Sequence, residues 1–90
     1  MSIRILKYEL PIQKEIIELF LHDHMQVIHI NNQEDDLFMW AIVNMESSLI
    51  KRRFKILFTG DEIVNPDSMY MIQTVLMPDG LVLHVFEIKE

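Results

Sequence analysis

The fourteen acidic and eight basic side chains of this 90-residue sequence leave a net charge of −6, and half of its residues are apolar. That length allows one domain, residues 1–90, with a thin core that buries about 60–65% of the unfolded surface. The absence of cysteine excludes disulfides, thiolate metal sites and a cysteine nucleophile, and the acidic balance argues against general binding to a phosphate backbone. Arg4 and Lys7 interrupt any apolar run at the N-terminus, so neither a signal peptide nor a membrane span is expected. A small uncrosslinked domain suits a reducing compartment, which makes a cytoplasmic location the expectation. The seven methionines are read as adaptable core filler.

Residues 3 to 10 alternate Leu6, Tyr8 and Leu10 with Lys7 and Glu9, which predicts a strand with one wet face. Pro11 ends it, because proline has no N–H for a ladder. Ile12 to Leu21 fits two patterns. Ile12, Ile16, Leu19 and Phe20 sit at helical spacing opposite Glu15 and Glu18, as in a short amphipathic helix. An extended backbone instead turns Ile17, Leu19 and Leu21 inward and leaves Ile16 and Phe20 in water. Met25 to Ile30 sets Gln26, Ile28 and Ile30 against Met25, Val27 and His29, another strand pattern. Asn31 to Asp36 is polar and long enough for a hairpin with a loose loop. The unbroken apolar run Leu37 to Val43 predicts a strand buried on both faces in the middle of a sheet.

After a polar connection, Asn44 to Leu49, comes the most ordered stretch, Ile50 to Gly60. Ile50, Phe54, Ile56 and Phe58 point one way and Lys51, Arg53, Lys55 and Thr59 the other, with only Arg52 and Leu57 out of pattern. Turns are expected at Thr59 to Glu62 and at Asn65 to Ser68. Met69 to Met77 alternates Tyr70, Ile72, Thr74 and Leu76 against Met69, Met71, Gln73 and Val75. Pro78-Asp79-Gly80 then closes a hairpin onto Leu81 to Ile88, the glycine supplying a positive φ. No strand–helix alternation is present to build a parallel sheet. The expected fold is all-β, a small antiparallel meander forming a sandwich or partly open barrel of about 6–7 strands, or α+β if Ile12–Leu21 is helical.

Catalytic and metal chemistry find little support. His22 and His24 flank Asp23, but nothing in the pattern brings His29 or His84 close enough to complete a zinc ligand set. Glu34, Asp35 and Asp36 are consecutive and read as a solvated hairpin tip. The serines lack nucleophile-elbow glycines, and Gly60 and Gly80 are too few for a phosphate-cradling loop. No catalytic residue, metal site or cofactor is therefore expected. The candidate binding residues are the cationic strip Lys51, Arg53 and Lys55, about three charges within roughly 14 Å of strand. Three readings stand open: charges that protect an edge strand from association, pairing with acids such as Glu87 or Glu18, and a partner site for an acidic protein surface or phosphorylated small molecule. No helix or ribbon that would read DNA bases is visible.

Several stretches in order resemble a family of small uncharacterised proteins encoded by tailed bacteriophages and prophages. They are Lys7-Tyr8-Glu9-Leu10-Pro11, Trp40-Ala41-Ile42-Val43-Asn44, Lys51-Arg52-Arg53-Phe54-Lys55-Ile56 with Thr59-Gly60, Tyr70, Thr74, Gly80-Leu81-Val82 and His84-Val85-Phe86-Glu87. The chain departs from that family at His22-Asp23-His24, where a Pro-Glu-Gly-type turn is usual, and in its added Ile88-Lys89-Glu90. The resemblance implies an all-β domain in a phage setting and an extended Ile12–Leu21. The expectation is a non-enzymatic accessory protein that binds a host or phage protein, with inhibition of that partner as one outcome. The alternatives are an oligomeric binder of a phosphorylated nucleotide or metabolite and a minor virion or assembly component. Half-apolar composition on a thin core also predicts self-association through an edge strand or sheet face, most simply as a homodimer.

Overall fold

Period-2 alternation becomes seven strands: β1 (Ile3–Leu10), β2 (Ile17–His22), β3 (Met25–Gln33), β4 (Asp36–Asn44), β5 (Leu49–Phe58), β6 (Met69–Leu76) and β7 (Val82–Ile88). The structure, a computed structural model, describes residues 1–90 and holds no helix beyond a single 3-10 turn at Pro66–Ser68. Two antiparallel sheets form, one of three strands in the order β1-β4-β3 and one of four in the order β2-β5-β7-β6. Only β3–β4 and β6–β7 are hairpins. The β1–β4, β2–β5 and β5–β7 ladders join strands distant in the chain, so the path is less sequential than a meander.

The core lies between the sheets. All fourteen buried residues are apolar, and twelve of them form one cluster that draws Leu10, Ile30, Leu37 and Met39 from one sheet and Ile17, Leu21, Phe54, Ile56, Val75, Leu83 and Val85 from the other. Phe54 is the only β5 residue paired on both sides, with Ile17 of β2 and Glu87 of β7. The first half of β5 lies against β2 and the second half against β7. It is thus interior in the strand order, although Lys51 and Arg53 sit on the half that pairs with β2 alone.

The Ile12–Leu21 segment is not helical. Pro11 to Ile16 is irregular, and β2 turns Ile17 and Leu21 into the core while Ile16 and Phe20 are 44% and 66% exposed. The apolar run of β4 is the middle strand of its sheet, but only one of its faces is buried. Leu37, Met39, Ala41 and Val43 point inward, whereas half-buried Phe38 and Trp40 and exposed Ile42 form an outer face that no second sheet covers. The β3–β4 loop is tight, not loose: Gln33 pairs with Asp36, leaving Glu34-Asp35 at the tip with Glu34 at φ 57°. Gly80 has φ 93° in the β6–β7 turn, where its N–H donates to the Met77 carbonyl.

Two bulges shift the alternation. In β3 the register slips between Val27 and His29, so Val27 and Ile30 both face the core; in β6 it slips between Met71 and Gln73. An extra residue in one strand re-aims all that follow it. Here the shifts bring Gln73 against Ile30 of the other sheet. The Gln73 carboxamide accepts from the Ile30 N–H at 2.8 Å and donates to the Ile30 carbonyl, standing in for a strand neighbour. Asn32 Nδ2 donates likewise to the Leu76 carbonyl at 2.9 Å. Side-chain amides therefore tie the β3/β6 seam, while the opposite seam between β1 and β2 has no ladder, and the sheets do not close into a barrel.

Candidate functional site

The cationic strip sits where its alternation places it, on the outer face of the four-stranded sheet, but each charge has an intramolecular partner. Lys51 Nζ lies 3.7 Å from Glu18, Arg53 Nε lies 3.3 Å from Glu90, and Lys55 Nζ donates to the Lys14 carbonyl. Arg52 follows the same period and faces inward. Its Nε and Nη2 donate to the two carboxylate oxygens of Glu87 at 2.6 and 2.5 Å, with about four-fifths of both side chains covered. This Glu87 hydrogen bond raises the Arg52 pKa, against the opposing effect of burial, and the charges of Glu87 and Asp23 add to the rise. The predicted pairing of basic residues with Glu18 and Glu87 is thus present, though Glu87 takes Arg52 rather than a member of the strip.

To reach β6 from β5 the chain must pass β7, and it does so over this outer face. Between the turns at Thr59-Gly60 and Pro66–Ser68, Ile63 and Val64 form a strap against Ile16, Leu57, Met69 and Ile88. A cavity of about 270 Å³ lies under the strap, mostly apolar, with Lys55 and Glu62 as its charged members. Beside it His84 is held at both ring nitrogens, 2.8 Å from Thr59 Oγ1 and 2.9 Å from Thr74 Oγ1. Neutral hydroxyls on both sides fix the ring without the carboxylate that would orient a general base. The other histidines lie apart: His22 Nδ1 donates to the Ser47 carbonyl at 3.0 Å, His24 is exposed, and His29 stacks on Trp40. No three His, Asp or Glu side chains converge as metal ligands.

The outer face of the three-stranded sheet went unnoticed in the sequence. Register sets Ile5 beside Ile42, Lys7 beside Trp40 and Glu9 beside Phe38, with Gln26 and His29 on the far side of β4. Ile3, Ile5, Ile28 and Ile42 are 52%, 64%, 47% and 37% exposed around the chain's only tryptophan. His29 and Trp40 stack with centroids 6.4 Å apart, Phe38 tilts against Trp40 at 6.2 Å, and Lys7 Nζ sits 4.2 Å from the Phe38 centroid while donating to Gln33 Oε1. One signal was available: β1 carries Ile3 and Ile5 in phase with Lys7 and Glu9, so its wet face is itself half apolar.

These features define a small all-β domain of two unclosed antiparallel sheets, one with an apolar aromatic outer face and one with a cationic outer face crossed by a strap. Over residues 1–90 the chain matches the model of a family described as a domain of unknown function (DUF7352), and it belongs to that family. No curated protein and no solved structure matches it.

Proposed function

We propose that this protein is a non-enzymatic accessory factor of phage or prophage origin that acts in the bacterial cytoplasm by binding a host or phage protein. The observation that carries the reading is the outer face of β1, β4 and β3, where the exposed Ile3, Ile5, Ile28 and Ile42 lie on the same face as half-buried Trp40 and Phe38. Exposed apolar patches ringed by polar groups mark contact surfaces, and tryptophan is enriched among the residues that dominate binding energy. The self-paired cations make the strip the weaker candidate, because a partner must first displace Glu18, Glu90 and the Lys14 carbonyl.

Affinity purification from host cells with three forms of the protein tests this. A partner held by the aromatic face is lost with Ile5→Glu/Ile42→Glu and kept with Lys51→Gln/Arg53→Gln/Lys55→Gln. The same set of recovered proteins with all three forms would refute the docking face, and loss with the glutamine triple alone would transfer recognition to the strip.

A second reading, a pocket for a nucleotide or phosphorylated metabolite, draws support from Lys55 at the strap cavity. Saturating ligand then stabilises the fold by a few kcal/mol, about 2.7 at a hundred times Kd. A thermal-shift series with nucleotides and inorganic phosphate that moves nothing removes it.

A further inference from the structure

One charge on β5 is unlike the rest. Of the four cations on that strand, Lys51, Arg52 and Arg53 each meet a carboxylate, whereas Lys55 has only the Lys14 carbonyl as its partner. An ammonium has more donors than that single bond uses, and this one lies at the cavity of about 270 Å³ beneath the strap. Lys55 is half-buried on the sheet that floors the cavity. The acids at the mouth are placed differently: Asp61 accepts from the Phe58 N–H at 2.8 Å, and Glu62 stands exposed on the strap. A charge shielded from water acts more strongly on a ligand than one in solvent, so Lys55 sets the preference of the site.

We propose that the strap cavity is a binding site for a small amphiphilic carboxylate, an apolar chain whose head group meets Lys55. Leu57 and Ile88 lie on its floor, and Ile63 and Val64 belong to the strap above. Lys55, Ile88 and Met69 stand on β5, β7 and β6, neighbours in the sheet, so the lining runs about 10 Å across the strands. Ile16, Ile63 and Val64 are exposed at its rim, and an apolar chain between them removes their surface from water. The carboxylate supplies Lys55 with the counter-charge that the other cations of β5 find within the chain.

Volume limits the chain. A cavity of about 150 Å³ accommodates a benzene ring, so one of about 270 Å³ holds about ten non-hydrogen atoms, the size of octanoate. Pockets for drug-sized ligands begin at about 300 Å³, which favours such a chain over a whole nucleotide. The site shares its cavity with the nucleotide reading above, takes a different ligand, and is independent of the docking face.

Titration of the full chain with octanoate, 1-octanol, octylamine, acetate and inorganic phosphate, all below micellar concentrations, tests the site by calorimetry and amide NMR. Trp40, the only tryptophan, lies on the other sheet, so its fluorescence reports any binding to the aromatic face. The expected result is saturable octanoate binding, tighter than that of octanol or octylamine, with shifts at Leu57, Ile63 and Ile88 and unchanged Trp40 emission. Acetate and phosphate should not bind. Lys55→Met should weaken octanoate by about tenfold, as loss of one hydrogen bond to a charged group does, and leave octanol unchanged. Glu62→Gln removes a repelling carboxylate and should keep or raise octanoate affinity. If Lys55→Met fails to fold, Ile63→Glu on the exposed strap is the second variant, and it should abolish octanoate binding. No saturable octanoate binding overturns the proposal, as does equal affinity in wild type and Lys55→Met, tighter binding of octylamine, or altered Trp40 emission. Binding of phosphate without octanoate overturns it and leaves the nucleotide reading standing; octanoate without phosphate or nucleotide binding supports it and removes that reading.

Discussion

Arg52 and Glu87 occupy core-facing positions on adjacent strands, at the end of the sandwich where β5 leaves β7. Exposed ion pairs contribute about 0–1 kcal/mol, whereas stranding one partner of a buried pair costs about 3–5. With less than a fifth of either side chain exposed, this pair lies between those limits. Arg52→Met or Glu87→Leu alone is expected to lower the unfolding free energy by about 2 kcal/mol. The double substitution should cost less than either single change, since no charge is left without its partner. Guanidinium denaturation of the four forms measures this, and a double mutant that loses the sum of both singles would show the two side chains to be uncoupled. In the period-2 pattern of β5, Arg52 is a charged residue at an apolar position. Its phase already pointed inward, and Glu87, in phase with Leu83 and Val85, was the matching acid.

At the scale of elements, strands were legible wherever alternation ran unbroken, as in β1, β5 and β7. They were less legible where a bulge changed phase, because neither Ile28 nor Ile72 looks unlike its neighbours in a pattern of apolar and polar residues. What places the bulges is the other sheet, through Gln73. Removing that amide leaves the N–H and carbonyl of buried Ile30 without their partners, and an unmade buried hydrogen bond costs about 1–3 kcal/mol. Gln73→Ala is therefore expected to destabilise by about 2–4 kcal/mol for the two bonds together, and to raise amide exchange at Ile30 above that of its β4 partner Met39. Gln73→Glu keeps an acceptor but sets a carboxylate against the Ile30 carbonyl, so it should rescue little. Unchanged exchange at Ile30 in Gln73→Ala would mean that the seam is held elsewhere. The uncovered side of β4 was illegible for a different reason. A run such as Leu37 to Val43 records which residues avoid water, not whether a second layer exists to cover them, and the aromatic face came to light only with the register of β1 and β3.

For the whole molecule the two seams are unequal: amides tie β3 to β6, while no ladder joins β1 to β2, whose Tyr8 and Leu19 each pack against the core. Tyr8 gives this asymmetry a readout in pH. Burial raises its phenol pKa above the ordinary 10.0, since the charged phenolate is less well solvated at the seam than in the unfolded chain. The folded state therefore holds this proton more tightly than the unfolded state does. The resulting contribution is complete below pH 10 and is lost as pH rises through the folded-state value. Stability attributable to Tyr8 should be level from pH 7 to about 9 and decline above about 10. The comparison is with Tyr8→Phe, which retains the ring and lacks the ionisable group. Denaturation midpoints of the two forms should run parallel near neutrality and diverge above pH 10, the wild type falling faster. Parallel curves throughout would mean that the β1 seam opens to solvent without unfolding. Faster exchange of the β1 amides than of the β6 amides should accompany the divergence, because alkaline loosening begins at the seam that has no hydrogen bonds to hold it.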